Sequence, residues 1–245
     1  MTPRTAEIGG GGIAGLATGW ALARYGWRVR LHERSPEISE IGAGIYLMNN
    51  SASIFEHYGI ADLIFERGVL LRATERLERD GRLIHRSNLC HEDRWIGVTR
   101  SDLVLGLAEA ARREGVEIVA DSEAVDIDPS GTLTLASGET RRADLVIAAD
   151  GYRSVLRDRL GVTVRATERR SGATRLLFER TEAEAEPVLR EYWSGRRRIG
   201  IGPTSLDLSY AYLSCPHSDA RGCAIPIDIE SWQRAFPGIS EFFER

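Results

Sequence analysis

Three glycines near the amino terminus have the spacing of a phosphate-binding loop. They read Gly10-x-Gly12-x-x-Gly15 and lie between a strand expected at residues 5–9 and a helix expected at residues 13–25. In such a loop the first glycine makes a tight turn, the second lets the backbone approach a pyrophosphate, and the third lets helix and strand pack closely. The helix N-terminus then presents N–H groups and a positive dipole end to the phosphates.

An acidic side chain follows where such sites recognise a ribose. Residues 27–33 alternate with period two, which predicts a second strand that ends at Glu33. This position is about 20 residues beyond the loop, where a carboxylate accepts hydrogen bonds from the ribose hydroxyls of an adenosine and repels a 2′-phosphate. The pattern favours FAD or NAD over NADP as the tightly held dinucleotide. An unliganded glycine loop on a βαβ unit is the alternative interpretation.

The absence of lysine excludes several other kinds of chemistry. All 32 basic residues of the 245-residue chain are arginine, which does not deprotonate in proteins. P-loop NTPases, PLP enzymes and Ser-Lys acyl transferases each need a lysine, so the sequence excludes them. A formal net charge of −4 with interspersed acids and bases gives no basis for nucleic-acid binding or for docking on an anionic membrane.

The cysteines and histidines give no metal-binding pattern. Cys90, Cys215 and Cys223 lack the close pairing of a zinc ribbon or a redox Cys-x-x-Cys motif, so we expect free thiols in a reducing cytoplasm. The histidines are scattered and no Gly-x-Ser-x-Gly elbow is present, so neither a metal ligand nor a catalytic side chain is predicted. We find no signal-peptide pattern and no apolar window near ~18 residues, and we expect a cytoplasmic protein that does not span a membrane.

The predicted secondary structure changes from mixed α/β to mainly β near residue 165. Before that point, Ser51 and Ser101 are expected to cap helices, and the apolar run at residues 143–149 is typical of a buried parallel strand. Antiparallel strands follow, and a helix is expected from Ile229. The other expected strands lie at 71–79, 82–86, 95–99, 117–120, 124–128, 132–136, 173–180, 188–193, 197–202 and 207–214, and the other expected helices at 51–58, 61–67, 102–113 and 154–160.

Four segments resemble, in their order and spacing, the FAD-dependent aromatic hydroxylases. They are the loop and second strand (Gly10–Arg34), Ile41–Ile45, Val98–Leu103 and Asp144–Ser154. Over nearly its whole length the chain resembles single-component flavoprotein monooxygenases of the para-hydroxybenzoate and salicylate hydroxylase type. Within that family it most resembles the branch of 2-methyl-3-hydroxypyridine-5-carboxylate oxygenases. The segments that indicate this branch are Gly26–Glu33, Gly42–Leu47, Ser122–Val125 and Ile225–Trp232.

The resemblance implies an α/β fold of two domains. A Rossmann-like FAD-binding domain, opened by the GxGxxG βαβ unit, is expected at residues 1–68 and 99–164. An inserted, mostly antiparallel β-sheet substrate domain is expected at residues 69–98 and 165–245. The fold is expected to be incomplete at its C-terminal end, because the family carries a Gly-Asp motif and a flavin-contacting loop and helix beyond the substrate domain. This sequence contains no Gly-Asp dipeptide.

The loop and the resemblance together predict the binding residues. The resemblance implies that Arg100 lies against the cofactor phosphates or flavin, and that Asp150-Gly151 supports FAD and pyridine nucleotide. It also implies substrate contacts by Arg198 and Tyr210, whereas Thr74 replaces a substrate-contacting tyrosine. The predicted cofactor-binding residues are Gly10, Gly12, Ile13, Ala14, Gly15, Glu33, Arg34, Gly44, Arg100, Val125, Asp150 and Gly151.

Each of these assignments has a structural alternative. Arg198 belongs to an arginine run that could form a solvated face, although Arg197 and Arg198 must point to opposite faces of their strand. Tyr210 shares a strand face with Tyr212, which equally suits packing. Arg100 could be a surface guanidinium and Asp150 a turn residue.

The resemblance also implies the reaction. NADH or NADPH reduces FAD, O2 forms a flavin C4a-hydroperoxide, and this species hydroxylates or opens the ring of a small aromatic or hydroxypyridine-type substrate. The flavin does the chemistry, so no catalytic side chain is expected. A flavin halogenase is disfavoured because it uses a lysine, and a plain NAD dehydrogenase would not need the Arg100 and Asp150 motifs. We expect a monomer or homodimer. A non-catalytic FAD- or ADP-binding remnant or accessory protein is the alternative function.

Overall fold

The computed structural model describes residues 2–39 and 42–244 and divides the chain into two compact units. The first unit comprises Met1–Ile41, Asp62–Ile64 and Ser101–Ala166, and the second comprises Gly42–Ala61, Phe65–Arg100 and Thr167–Arg245. Residues 42–61 and 65–68 thus fall in the second unit, whereas the sequence placed them in the first domain. What each unit binds remains a prediction.

The secondary structure is a mixture of strands and helices up to residue 160 and is mainly β after it. The strands are β1 (Thr5–Gly9), β2 (Arg28–His32), β3 (Gly44–Met48), β4 (Val69–Leu70), β5 (Ala73–Glu78), β6 (Leu83–Asn88), β7 (Trp95–Thr99), β8 (Glu117–Val119), β9 (Ala124–Asp128), β10 (Thr132–Leu135), β11 (Thr140–Arg142), β12 (Leu145–Ala148), β13 (Ser171–Glu179), β14 (Val188–Ser194), β15 (Arg197–Pro203) and β16 (Leu208–Pro216). The helices are α1 (Ile13–Arg24), α2 (Asn49–His57), α3 (Ala61–Phe65), α4 (Arg100–Arg113), α5 (Val155–Leu160) and α6 (Ile229–Ala235), with 3-10 segments at Glu182–Glu184 and Pro237–Glu244.

The first unit is built on a parallel sheet with strand order β12-β1-β2-β8. One face is apolar because Ile8 and Leu31 are fully buried on it, near Leu16 and Gly19 of α1. Burying such a side chain stabilises the fold by roughly 1.5–3 kcal/mol. Gly26, at φ +80°, reverses the chain after α1. The predicted βαβ opening is confirmed.

The other face of this sheet is approached by a second, smaller sheet of strand order β11-β10-β9. Leu133 and Leu156 are fully buried there, and Leu156 brings α5 into the same cluster. The apolar run at 143–149 was expected to be buried. It does pair in parallel with β1, but β12 lies at the sheet edge and Leu145 remains 36% exposed. Apolar composition alone did not distinguish an edge from a centre.

The second unit contains a six-stranded sheet of order β13-β16-β15-β14-β5-β6. Among the pairings of the described residues, β14 with β5 is parallel and the others in this sheet are antiparallel. The prediction of a mostly antiparallel sheet is therefore confirmed. One face packs Ile199 and Leu213 against Trp232 and Phe236 of the C-terminal helical segment. Its opposite face carries the polar and aromatic residues discussed below.

A three-stranded sheet of order β3-β7-β4 completes the second unit. Neither β3 nor β4 was among the strands expected from the sequence. The two predicted serine caps were also wrong. Helix α2 begins at Asn49 with Met48 at its N-cap, and α4 begins at Arg100, so Ser51 and Ser101 lie inside first turns. A strand that runs directly into a helix leaves no loop in which a serine can cap.

Candidate functional site

The glycine loop connects β1 to α1 in a conformation that two of its glycines require. Gly10 has φ +115°, and a Cβ placed there would lie 2.4 Å from the carbonyl oxygen of Ala149. A Cβ on Gly15 would lie 1.9 Å from the carbonyl oxygen of Gly10. Both contacts are far shorter than van der Waals distance, so these positions exclude any other residue. The loop is thereby held tightly between β12 and α1.

Gly12 differs from the other two glycines. No described atom lies within 4 Å of the position that its Cβ would occupy, so its backbone faces open space. Gly12 is also the N-cap of α1, and no side chain of the described residues caps this helix. The N–H groups of Ile13 and Ala14 therefore belong to a first turn that has no side-chain acceptor. This end of α1 is suited to an anion.

Glu33 lies beside the same loop at the end of β2. One carboxylate oxygen accepts the N–H of Gly11 at 2.8 Å, and the other accepts the N–H of Ser35 at 2.9 Å. A carboxylate has about four acceptor positions. Each oxygen therefore retains capacity for a ligand hydroxyl while the backbone bonds fix its direction.

These elements surround a cleft of about 420 Å³, which we call the glycine-loop cleft. Its volume is that of a small-molecule site. It contains six of the predicted cofactor residues and adds others, notably His32 and Arg153, that sequence reasoning missed. The lining residues are Gly9–Gly12, His32–Ser35, Ser39, Glu123, Ala124, Ala149–Gly151, Arg153 and Val155.

Asp150 and Gly151 line the cleft, and Asp150 also has a structural role. Its carboxylate accepts the hydroxyl of Ser154 and, at 3.1 Å, the N–H of Leu156. It thus organises the start of α5, while Gly151, at φ +91°, allows the turn. The turn interpretation and the cofactor interpretation of Asp150 are compatible.

Six of the predicted cofactor residues are not in the lining of this cleft. Ile13, Ala14 and Gly15 form the first residues of α1, and the other three are Val125, Gly44 and Arg100. The wall beside β9 is formed by Glu123 and Ala124, with Val125 outside the lining. Gly44 and Arg100 belong to the second unit. There a Cβ on Gly44 would come within 2.2 Å of Thr204, and the Arg100 side chain lies against Gly42. Within that unit, Gly44 permits close packing of strands.

The predicted substrate residues share one face of the six-stranded sheet in the second unit. Strand alternation and register place Thr74, Arg198 and Tyr210 on the face opposite Trp232. We call this surface the aromatic face, defined by Thr74, Arg76, Glu191, Trp193, Arg198, Tyr210 and Tyr212. Arg197 points the other way, where it contacts Asp219 at 2.6 Å.

An interlocked set of side chains forms the exposed part of the aromatic face. The Arg198 guanidinium carbon lies 4.1 Å from the centre of the Trp193 ring, and that of Arg76 lies 5.0 Å from it. Glu191 accepts the Trp193 indole N–H at 2.5 Å and the Tyr212 hydroxyl. Burial, followed by the Glu191 hydrogen bond, raises the pKa of Tyr212. An aromatic platform flanked by two cations results.

The buried part of the aromatic face is formed by Tyr210, which lies near Tyr46 of β3. Tyr210 is 7% exposed, and its ring centre lies 6.1 Å from that of Tyr46. The Tyr46 hydroxyl is buried and finds no hydrogen-bond partner within residues 2–39 and 42–244. Burial raises the pKa of Tyr46, so this phenol stays protonated. Sequence reasoning found Tyr210 but missed Tyr46, Glu191 and Trp193. The available signal was strand alternation, which places Glu191 and Trp193 on the same face of β14.

Membrane-spanning helices and clusters of metal-ligating side chains are both absent from the described residues. No helix in that part of the chain is long and apolar enough to cross a membrane. No group of three or more His, Cys, Asp or Glu side chains there is arranged to hold a metal ion.

Comparison with known proteins identifies the class of this fold. The model of the FAD binding domain family matches residues 4–232, and the chain belongs to that family. Among curated relatives, the 2-heptyl-3-hydroxy-4(1H)-quinolone synthase of Mycobacteroides abscessus is 35% identical over 100% of this chain and 67% of its own. The probable 2-heptyl-3-hydroxy-4(1H)-quinolone synthase AqdB2 of Rhodococcus erythropolis is 32% identical over 98% of this chain and 64% of its own.

A solved structure supports the same assignment. The tetrameric form of 2-methyl-3-hydroxypyridine-5-carboxylic acid oxygenase matches with a TM-score of 0.89 and 35% identity, covering 100% of this chain and 67% of that one. The predicted resemblance to FAD-dependent aromatic hydroxylases and the Rossmann-like fold class are confirmed. The chain spans about two thirds of the length of these relatives.

Proposed function

We propose that this chain binds FAD and acts as an NADH- or NADPH-dependent monooxygenase that hydroxylates, or opens, a small aromatic or N-heteroaromatic ring. The family match over residues 4–232 carries the proposal. The glycine-loop cleft supports it independently, because the open backbone at Gly12, the uncapped α1 and Glu33 fit the adenosine diphosphate part of FAD. FAD supplies the electron transfer and the oxygen activation when it is bound.

Most of the binding work falls to the backbone of the first unit. Gly10 and Gly15 hold the loop in shape. Gly12 would leave room for the pyrophosphate of FAD, and the N–H groups of Ile13 and Ala14, at the uncapped start of α1, would donate to it. Glu33 would accept the ribose hydroxyls and Arg34 would line the adenosine side. Asp150-Gly151 would form the opposite wall. Gly44, Arg100 and Val125 remain predictions from the resemblance.

The aromatic face is our proposed substrate surface. Arg198, stacked on Trp193, suits an anionic or hydroxylated ring, and Tyr210 offers a buried phenol on the same face of the sheet. The relatives are named for a hydroxyquinolone and a hydroxypyridine carboxylic acid. We therefore propose a 4(1H)-quinolone or 3-hydroxypyridine as substrate class, with Thr74 changing the shape of the surface relative to a tyrosine.

Location and assembly complete the proposal. We propose a cytoplasmic protein that works as a monomer or homodimer without nucleic-acid or membrane partners. The hydroxypyridine oxygenase that resembles it has a tetrameric form. Light scattering on the purified chain would distinguish a monomer, a dimer and a tetramer.

A spectrum of the purified 245-residue chain tests the proposal. We expect the yellow absorbance of bound FAD, its loss on anaerobic reduction by NADH or NADPH, and its return with O2. Product analysis with a 4(1H)-quinolone and a 3-hydroxypyridine carboxylate then tests the substrate class. A folded chain that takes up no added FAD would refute the proposal. FAD binding without oxygen-dependent turnover would favour the non-catalytic alternative.

A further inference from the structure

We propose that His32 positions Glu33 for the ribose of the bound dinucleotide, through a buried relay of Glu7, His32 and Ser122. This inference rests on the FAD site proposed above. It assigns a role in cofactor recognition to three residues outside the glycine motif. His32 acts through Glu33 and is therefore a positioning residue.

Both ring nitrogens of His32 are engaged in the interior of the first unit. Nε2 lies 2.7 Å from the carboxylate of Glu7, and Nδ1 lies 2.8 Å from the hydroxyl of Ser122. His32 is 1% exposed, and Glu7 and Ser122 are each 8% exposed. The other oxygen of Glu7 lies 3.7 Å from the guanidinium of Arg30. The imidazole is thus locked in one orientation.

The backbone around His32 ties this relay to the glycine-loop cleft. The N–H of Gly10 donates to the carbonyl oxygen of His32 at 2.8 Å. The N–H of Ser122 donates to the carbonyl oxygen of Glu33 at 2.8 Å, and the N–H of Glu33 donates to Val119 at 2.9 Å. Ser122 is therefore bonded to His32 by its side chain and to Glu33 by its backbone.

Burying the polar side chains of Glu7, His32 and Ser122 carries a desolvation cost in folding free energy. They lie on the sheet face that elsewhere packs Gly9 against Leu133 and Leu156. Apolar residues at positions 7 and 32 would avoid the desolvation of a carboxylate and an imidazole. A fully satisfied buried network instead specifies one arrangement. Ser122 bonds to the His32 ring and to the Glu33 carbonyl oxygen, so the relay holds the backbone at the end of β2 in place. From that backbone the Glu33 carboxylate reaches the N–H groups of Gly11 and Ser35, which set its direction.

The same trio does not suit nucleophilic chemistry. The hydroxyl of Ser122 faces Nδ1 of His32 in the interior, and both residues are less than a tenth exposed. A substrate carbonyl could not approach that oxygen. The relay therefore does not contact a substrate, and it acts on the cleft only through Glu33.

Affinity for ADP compared with 2′-deoxy-ADP tests the inference, because the ratio isolates the ribose contact from overall stability. In the unmodified chain we expect calorimetry to show ADP binding about tenfold tighter or more, the value of a hydrogen bond to a carboxylate. In His32→Leu we expect the ratio to fall towards one. His32→Gln, which keeps a donor and an acceptor, should restore part of it.

A matched control separates positioning from loss of stability. Val29→Ala truncates a residue of the same strand that is 2% exposed and lies outside the relay. It should lower the melting temperature and leave the ratio near that of the unmodified chain. Should His32→Leu fail to fold, Ser122→Ala removes one end of the relay and should also lower the ratio.

The outcomes distinguish this inference from the proposed function. An unmodified chain that binds neither ADP nor FAD would refute the FAD site itself. A chain that binds ADP, with a ratio unchanged in folded His32→Leu or Ser122→Ala, would refute the relay alone. A ratio near one in the unmodified chain would also refute it, because Glu33 would then have no ribose contact to position.

Discussion

The glycine-loop cleft and the aromatic face are built in opposite ways. In the cleft, the backbone makes the shape. A Cβ at Gly10 or Gly15 would clash with neighbouring backbone atoms, whereas Gly12 borders open space. On the aromatic face, side chains such as Glu191 and Trp193 hold one another through hydrogen bonds and stacking. Backbone sites tolerate little change, whereas side-chain surfaces can be altered residue by residue. This difference suits a shared cofactor and a variable substrate.

Gly15→Ala should break the comparison most severely, because the new Cβ would lie 1.9 Å from the carbonyl oxygen of Gly10. We expect a loss of about 3 kcal/mol or more in unfolding free energy, at or beyond the upper end of overpacking effects. Urea unfolding measures it. Gly19→Ala is the control, since its Cβ would find ordinary contacts at 3.4 Å and beyond. Equal stability of the two variants would contradict the backbone account of the loop.

Gly12→Ala should separate ligand binding from folding. Its Cβ meets no described atom within 4 Å, so stability should change by less than about 1 kcal/mol. The same methyl group would obstruct the pyrophosphate, and we expect FAD affinity to fall about 30-fold, or about 2 kcal/mol. Fluorescence titration with FAD measures it. Unchanged affinity would show that the phosphates do not approach this residue.

Glu191→Ala should disturb the aromatic face and leave the cofactor site intact. It removes the acceptor for both the Trp193 indole and the Tyr212 hydroxyl. We expect the affinity for a quinolone or hydroxypyridine ligand to fall about tenfold, the cost of unpaired donors, with FAD affinity unchanged. Glu179→Ala, at an exposed edge position, is the control. A parallel loss of FAD affinity would show that the two regions are not separable.

Asp219→Asn should have the smallest effect and should depend on pH. The Arg197 guanidinium lowers the pKa of Asp219 to about 2. Because the pKa is lower in the folded state, the stabilisation is present above pH ~4 and is lost as pH falls from there towards 2. After allowance for solvent screening we expect about 1 kcal/mol at pH 7. Thermal unfolding of both proteins between pH 7 and 2 should show the difference vanish in acid.

The sequence predicted a strand or helix correctly where the pattern that defines it lies within the element and its immediate neighbours. The strands at 5–9 and 124–128 and the helix from residue 13 were placed within a residue, because their periodicity and flanking glycines are local. Strands β3 and β4 were missed, because pairing with β7 makes them strands and β7 is remote in the chain. The predicted caps at Ser51 and Ser101 failed because β3 and β7 run directly into α2 and α4, which therefore begin earlier than expected.

The sequence by itself determined the glycine loop and Glu33, because spacing along one βαβ unit is sufficient to define that geometry. It indicated the family through four segments in a fixed order. Only the tertiary structure brought Glu7 and Ser122 to His32, and Glu191 to Trp193 and Tyr212. The physical reason is that hydrogen bonds between side chains depend on strand register, which is decided by packing across the sheet. A histidine that looked isolated in the sequence thus becomes the centre of a buried network.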